Sequence, residues 1–266
     1  MSEFEQRFGE FVVVRTHEQG HVAELVLDRP KAMNAVSTDM ARSIGVACDA
    51  LAADRDVRVT VLTSSNDRAF CVGADLKERN SFSDADLVRQ RPTARGAYTG
   101  VLELPMPTVA AVHGFALGGG FELALSCDVI VADDTAVVGL PEVSVGVIPG
   151  GGGTQLLPRR VGAARAAELV FTARRVAAAE ARELGLVDVL AEDARTEALA
   201  LAARIAVNSP VGLRNAKKAM RLGQGLDLRA GLEVEDAAWR ATAFSGDRAE
   251  GVAAFNEKRK PAWPGE

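Results

Sequence analysis

The stretch from Pro105 to Glu142 constrains the fold more than any other part of the chain. Thr108 to Val112 is an apolar run bounded by Pro107 and Gly114, too short for a helix and suited to a buried strand. Gly118, Gly119 and Gly120 follow, and Phe121 opens a helical pattern. A chain that runs strand, glycine turn, helix presents backbone N–H groups that have no acceptor inside the helix. The helix dipole adds partial positive charge there, and glycine lets a ligand oxygen approach the main chain closely. Glu122 falls in the first turn, and Glu142 follows a second short strand and a proline. The stretch predicts a pocket with backbone donors for a developing oxyanion and two carboxylates beside it.

Around that centre the chain reads in two textures. Phe11 to Arg15 and Val22 to Leu27 form a predicted hairpin. Ser37 reads as the N-cap of a helix whose apolar stripe is Met40, Ile44, Ala47, Cys48 and Leu51. Val57 to Thr63 is the next strand, and Gly73 fits an ordinary turn or an irregular backbone that points the N–H of Ala74 or a neighbour into a pocket, the turn being the simpler reading. Residues 78 to 92, polar and interrupted by Pro92, read as a mobile surface segment or lid, with a helix from Thr93 to Leu104. From Thr154 onward helices dominate, interrupted by a possible strand at Leu186 to Ala191. Strands first and helices last point to the α/β class, with the helical tail packed on the core or on another subunit.

Several chemistries are disfavoured by the residues themselves. A net charge of −5 and the lack of a basic block disfavour nucleic acid and anionic membrane surfaces as partners. No apolar run approaches the roughly 20 residues of a membrane span, and the acidic N-terminus lacks a signal core. Cys48, Cys71 and Cys127 are scattered among apolar residues, which suggests buried, reduced thiols in a cytoplasmic protein. His17-Glu18-Gln19-Gly20-His21 matches the H-E-x-x-H zinc pattern, which works only on a helix. Gly20 and the flanking alternating strands argue for a turn with two solvated histidines, so no metal site is expected. Gly150 to Gly153 are not followed by the Lys-Ser or Lys-Thr of a P-loop, and neither G-x-G-x-x-G nor G-x-S-x-G occurs.

Several ordered strings do resemble a known family. A-F-C-V-G-A-D-L-K-E (69–78), H-G-F-A-L-G-G-G-F-E-L-A-L-S-C-D (113–128), G-L-P-E (139–142) and I-P-G-G-G-G-T-Q-L-L-P-R-R-V-G (148–162) are similar to the enoyl-CoA hydratase/isomerase (crotonase) superfamily. Within it they look most like short-chain enoyl-CoA or methylglutaconyl-CoA hydratases. D-R-A-E-G-V-A-A-F-N-E-K-R-K-P (247–261) extends the resemblance almost to the end of the chain. The resemblance implies a crotonase-like spiral of repeated ββα units over 1–195, carrying an acyl-CoA site. It implies a helical C-terminal trimerisation region over 196–266 and a homotrimer or homohexamer. It also implies enoyl-CoA hydratase activity, as in fatty acid metabolism, with coenzyme A as part of the substrate and no separate cofactor.

Carried over by motif position, the oxyanion hole comprises the N–H groups of Ala74 and Gly119, and Glu122 and Glu142 are the catalytic acids. Lys31, Ala32, Met33, Asp75, Leu76 and Lys77 line the CoA path. Phe255 and Lys258 match positions that hold the nucleotide end, in relatives from a neighbouring subunit. Taken alone, Glu122 is an acid favoured by a helix start, and Glu142 a solvated loop carboxylate. The pair in its motif context points to hydration of a 2-enoyl thioester. The alternatives are an enoyl-CoA delta-isomerase or other crotonase-type enzyme, and, from another class, a non-catalytic CoA-binding protein.

Overall fold

Alternation along three short strands decides the architecture. Val59 and Val61, Val109 and Ala111, and Val131 pack into one apolar core, whereas Leu62, Ala110, Val112, Ile130 and Ala132 pack into another. Side chains on successive strand residues point to opposite faces, so a sheet with two buried faces lies between helical layers. In the computed structural model, which describes residues 4–266, the strands are β1 (Glu5–Phe8), β2 (Val12–His17), β3 (Val22–Leu27), β4 (Val59–Ser64), β5 (Ala69–Cys71), β6 (Thr108–Val112), β7 (Phe115–Leu117), β8 (Val129–Ala132), β9 (Val137–Gly139), β10 (Val176–Ala177) and β11 (Val189–Leu190). The helices are α1 (Thr38–Ala53), α2 (Leu76–Arg79), α3 (Asp84–Glu103), α4 (Gly119–Ser126), α5 (Gly153–Val161), α6 (Ala163–Thr172), α7 (Ala178–Glu183), α8 (Ala194–Ala206), α9 (Pro210–Gly223), α10 (Leu228–Ala243) and α11 (Gly246–Glu257).

The larger sheet runs β1-β2-β3-β4-β6-β8-β11, antiparallel through β3 and parallel from there on. The smaller runs β10-β9-β7-β5, and its β5, β7 and β9 are parallel. Three times the chain lays a strand in the large sheet, then one in the small sheet, then a helical segment. These units are β4-β5-α2, β6-β7-α4, and β8-β9 followed by a 3-10 turn at Glu142–Val145. This is the repeated ββα architecture expected for the fold class. One face of the large sheet is covered by α8, whose Ala194, Ala198, Ala202 and Ala206 recur every four residues and let the helix sit close to the strands. The expected boundary at residue 195 falls in the first turn of that helix.

Two expectations change. The segment 78–92 is largely helical: α2 and then α3 occupy most of it, and α3 begins at Asp84 instead of Thr93. Ser83 and Asp86 form a reciprocal capping box, which fixes the start of α3 eight residues before Pro92. Proline only removes one helical donor, and Ala94, Ala97, Tyr98 and Val101 bury the following turns. The second change concerns His17. Glu18–Gly20 is a 3-10 turn, as the glycine suggested, but His17 is partly buried and its Nε2 lies 3.1 Å from Glu24 Oε2, not in solvent. His21 turns instead to the Asp56 carbonyl, so the two imidazoles share no face. The three cysteines are buried and free, and burial pushes each thiol up to about 12.

The C-terminal helices are tied to the core by ionised groups. Asp128, at the head of β8, takes Lys217 Nζ at 2.8 Å and Arg221 at 2.7 Å, both from α9. Lys217 also donates to the Met106 carbonyl at 2.8 Å. Burial opposes ionisation of Asp128, but the two cations outweigh it and hold the carboxyl below its usual range. Asp128→Ala strands the buried Lys217 ammonium and is expected to cost about 3–5 kcal/mol in urea unfolding. A loss under about 1 kcal/mol would show that the pair is not what fixes α9.

Candidate active site

Because β9, β7 and β5 lie side by side and parallel, the loops that leave their carboxyl ends also lie side by side. In α/β structures this edge is where ligands bind. The loops are Val72–Asp75, Gly118–Gly119 and Leu140–Glu142, and the central one opens α4. They surround a cavity of about 280 Å³ whose walls include Ala74, Gly119, Glu122, Glu142, Tyr98 and Leu76.

The close approach of the first two loops depends on glycine. Gly73 has φ +91°, and a Cβ there would lie 2.8 Å from the Leu117 carbonyl oxygen and 3.0 Å from the Gly119 nitrogen. Val36 forms a parallel bridge with Ala74: its N–H donates to the Gly73 carbonyl at 2.7 Å, and its carbonyl accepts from Asp75 at 3.0 Å. That pattern directs the N–H of Ala74 itself away from the bridge. Gly119 is the first residue of α4, where an N–H has no helical acceptor. Among the described residues, neither amide donates to another group, and both residues line the cavity. The pair predicted to hold an oxyanion is therefore brought to one wall.

The two glutamates line the same cavity in different settings. Glu122 is only 2% exposed, and its Oε1 accepts from the N–H groups of Gly151 and Gly153, each at 2.7 Å. Burial raises its pKa, and the amides of the glycine loop counter this only in part. Glu142 stands at the start of the 3-10 turn after β9, held against Gly118, where a Cβ would lie 3.0 Å from its Oε1. Its Oε2 is buried and has no hydrogen-bond partner among the described residues. Burial, with the nearby charge of Glu122, pushes its pKa up to about 7. One carboxylate is thus clamped by main-chain donors, and the other is free to exchange a proton near neutral pH.

The other predicted positions are distributed around this centre. Leu76 lines the cavity. Lys31 and Ala32 lie in a 3-10 turn ending at a left-handed Met33, whose carbonyl accepts from Val72 at 3.2 Å. Buried Asn34 pins that turn to the β5 region through the Phe70 carbonyl and Ser64. The Asp75 carboxylate caps α2 through the N–H groups of Lys77 and Glu78 and pairs with Arg29 at 2.7 Å. Phe255, 83% exposed, and Lys258, a left-handed C-cap, sit at the end of α11 and do not line the cavity. Sequence reasoning passed over several lining residues, among them Tyr98, Arg79, Arg91 and Arg175. The single tyrosine of the chain, on the buried stripe of α3, was the signal available for the first. The arginines carried none, because only the fold brings them to one wall.

The chain is similar to known proteins along nearly its whole length. A family model described as enoyl-CoA hydratase/isomerase matches residues 17–266. Mouse enoyl-CoA hydratase domain-containing protein 2, a mitochondrial protein, is 42% identical over 250 residues, covering 92% of this chain and 84% of its own length. Mouse mitochondrial methylglutaconyl-CoA hydratase is 40% identical over 255 residues, covering 94% and 81%. The crystal structure of an enoyl-CoA hydratase from Bacillus anthracis superposes with a TM-score of 0.92 at 38% identity, covering 97% of this chain and all of that one (100%).

Proposed function

The chain belongs to the enoyl-CoA hydratase/isomerase family, and from that premise we propose that it adds water across the 2,3 double bond of a 2-enoyl-CoA thioester to give a 3-hydroxyacyl-CoA. The observation that carries this reading is the convergence of two glutamates and two free main-chain amides on one cavity.

In the reaction, negative charge develops on the thioester oxygen as oxygen adds to C3. Donors at Ala74 and Gly119, placed about 2.7–3.1 Å from that oxygen, stabilise the enolate-like transition state without reorganising. The helix start at Gly119 contributes its dipole. The water is held between Glu122 and Glu142. It gives its oxygen to C3 and one proton to the carboxylate pair, while Glu142 delivers a proton to C2. The pair ends with the proton count it began with. Glu122, clamped through Oε1, orients and polarises the water. Exposed Val145, Val147 and Ile148 give the cavity an apolar rim for the acyl and pantetheine chain. Apolar Leu228, Leu232, Trp239 and Phe244 on and just after α10 are exposed in the single chain, which supports a homotrimer or homohexamer built on that face.

Because the mechanism needs one proton on the coupled pair in either direction, hydration and dehydration share one pH profile. The expected kcat/KM falls as pH rises through about 7, where the pair loses that proton. An acid limb follows where the second carboxyl also protonates. Loss of the conjugated enoyl absorbance of crotonyl-CoA reads the rate, and chromatography identifies the product. Formation of 3-hydroxybutyryl-CoA is expected. A shifted double bond from a 3-enoyl-CoA with no hydration of the 2-enoyl isomer would replace this reading with an isomerase. Acyl-CoA binding without turnover of either would replace it with a binding protein.

A further inference from the structure

The N–H of Ala74 belongs to a peptide group whose other end is held. A trans peptide is planar, with its N–H and C=O pointing in opposite directions. The Gly73 carbonyl accepts from the Val36 N–H at 2.7 Å, so the N–H of Ala74, in the same plane, is aimed away from Val36. The plane behind it is held in the same way. The Ala35 carbonyl, which shares its peptide group with the Val36 N–H, accepts from Arg29 Nη1 at 2.7 Å. That nitrogen also donates to Asp75 Oδ2, at 2.7 Å. Two peptide planes therefore connect a guanidinium group to a donor of the oxyanion wall, and every hydrogen bond in the line runs the same way. Ala74 and Leu76 line the cavity, whereas Asp75 between them does not. The Asp75 carboxylate is committed to three donors, Arg29 and the N–H groups of Lys77 and Glu78. Burial opposes its ionisation, but Arg29 and those amides outweigh it and hold the carboxyl below its usual range. Arg29 is fixed from other sides as well. Its Cζ lies 5.2 Å from the centre of the Phe11 ring, and its own N–H donates to Asn34 Oδ1 at 2.8 Å.

We propose that Arg29, oriented by Asp75, is a positioning residue that aims and polarises the Ala74 N–H toward the thioester oxygen through the Ala35–Val36 and Gly73–Ala74 peptide groups. The proposal rests on the acyl-CoA reading of the cavity and adds what tunes one of its two donors. Hydrogen bonds in line strengthen one another by about 10–30% per bond, and a cation at the head of the line makes the last N–H a better donor. The other donor has a different source of polarity. The Gly118 carbonyl, in the same peptide group as the Gly119 N–H, accepts from Glu122 at 3.0 Å within α4. Arg29 thus supplies to Ala74 what a helix supplies to Gly119. Asp75 moves with it from the CoA path, where its motif position puts it, to the support of the oxyanion wall.

Butyryl-CoA carrying carbon-13 at its thioester carbonyl is saturated, so isotope-edited infrared spectroscopy reads the grip on that oxygen without turnover. In Arg29→Met the shift to lower frequency seen with wild-type protein is expected to shrink by about half, and kcat for crotonyl-CoA to fall about tenfold, less than for loss of a whole donor. Affinity for free CoA should stay within about twofold, because neither Arg29 nor Asp75 lines the cavity. Arg29→Lys keeps the charge and should retain most of the shift. Asp75→Asn keeps an N-cap oxygen for α2 but releases the guanidinium, so it should lose part of the shift and add little to Arg29→Met. If Arg29→Met does not fold, the contrast between Arg29→Lys and Asp75→Asn carries the test. A full wild-type shift in both Arg29→Met and Asp75→Asn, even with a lower melting temperature, overturns the proposal and leaves the hydratase reading standing. So does weaker binding of free CoA with the band unmoved, which would return both residues to the CoA path. Failure to hydrate any enoyl-CoA with the Arg29-dependent band intact would remove the hydratase reading and leave the positioning role.

Discussion

Glu142→Gln is expected to lower the hydration rate of crotonyl-CoA on the order of 10²–10⁴-fold, with little change in KM. The amide has nearly the shape of the carboxyl and remains in the cavity, but it cannot pass a proton to C2. Because Oε2 of Glu142 is buried without a partner, and the amide oxygen of glutamine can still accept from the residue's own backbone N–H, the variant should fold. Its stability provides a second, oppositely signed readout. Burial raises the folded-state pKa to about 7 from an ordinary 4.5, so the folded protein holds a proton that the unfolded chain gives up. Stability contributed by this group is therefore lost as pH rises from about 4.5 through about 7. Glutamine carries no charge to desolvate. The variant should melt above the wild type at pH values beyond about 7, with the gap closing in acid. Lower activity with higher alkaline stability marks a functional carboxylate, whereas normal turnover removes Glu142 from the chemistry.

Gly73→Val tests the amide pair rather than the acids. The position has φ +91°, which valine resists, and the added Cβ meets the Leu117 carbonyl at 2.8 Å and the Gly119 nitrogen at 3.0 Å. The 72–75 loop must move away from the start of α4, separating the amides of Ala74 and Gly119. Loss of one oxyanion donor typically costs on the order of 10²–10³ in kcat, and the strained backbone adds about 1–3 kcal/mol of destabilisation. Gly225→Ala is the matching control. It also has a positive φ, +88°, but nothing lies within 4 Å of its Cβ, so it should show strain without loss of activity. Equal activity in Gly73→Val and Gly225→Ala would separate the amide pair from catalysis.

Local signals were legible in the sequence where one residue type had one physical use. Ser37 accepts from Met40 as an N-cap should, and Met40, Ile44, Ala47, Cys48 and Leu51 are all buried. The glycine run after Thr108–Val112 does open a helix, with Glu122 in its first turn. Helices do dominate after residue 153, because alanine-rich amphipathic runs separated by Gly, Ser and Pro have few alternatives. What stayed hidden depends on distant partners. Pro92 and a polar surface made 78–92 look unstructured, and the capping box at Ser83 and Asp86 outweighed both. β1 and β10 are short and gain their identity only from β2 and β9. The clamp on Glu122 is made by main-chain amides of a loop some thirty residues away, which no side-chain pattern records.

Isotope-edited infrared spectroscopy of a bound enoyl-CoA, labelled with carbon-13 at its thioester carbonyl, tests the central claim most directly. If the amides of Ala74 and Gly119 grip that oxygen, the carbonyl band moves to lower frequency on binding to wild-type protein and returns toward its solution position in Gly73→Val. A band that binding leaves in place in the wild type would contradict the account.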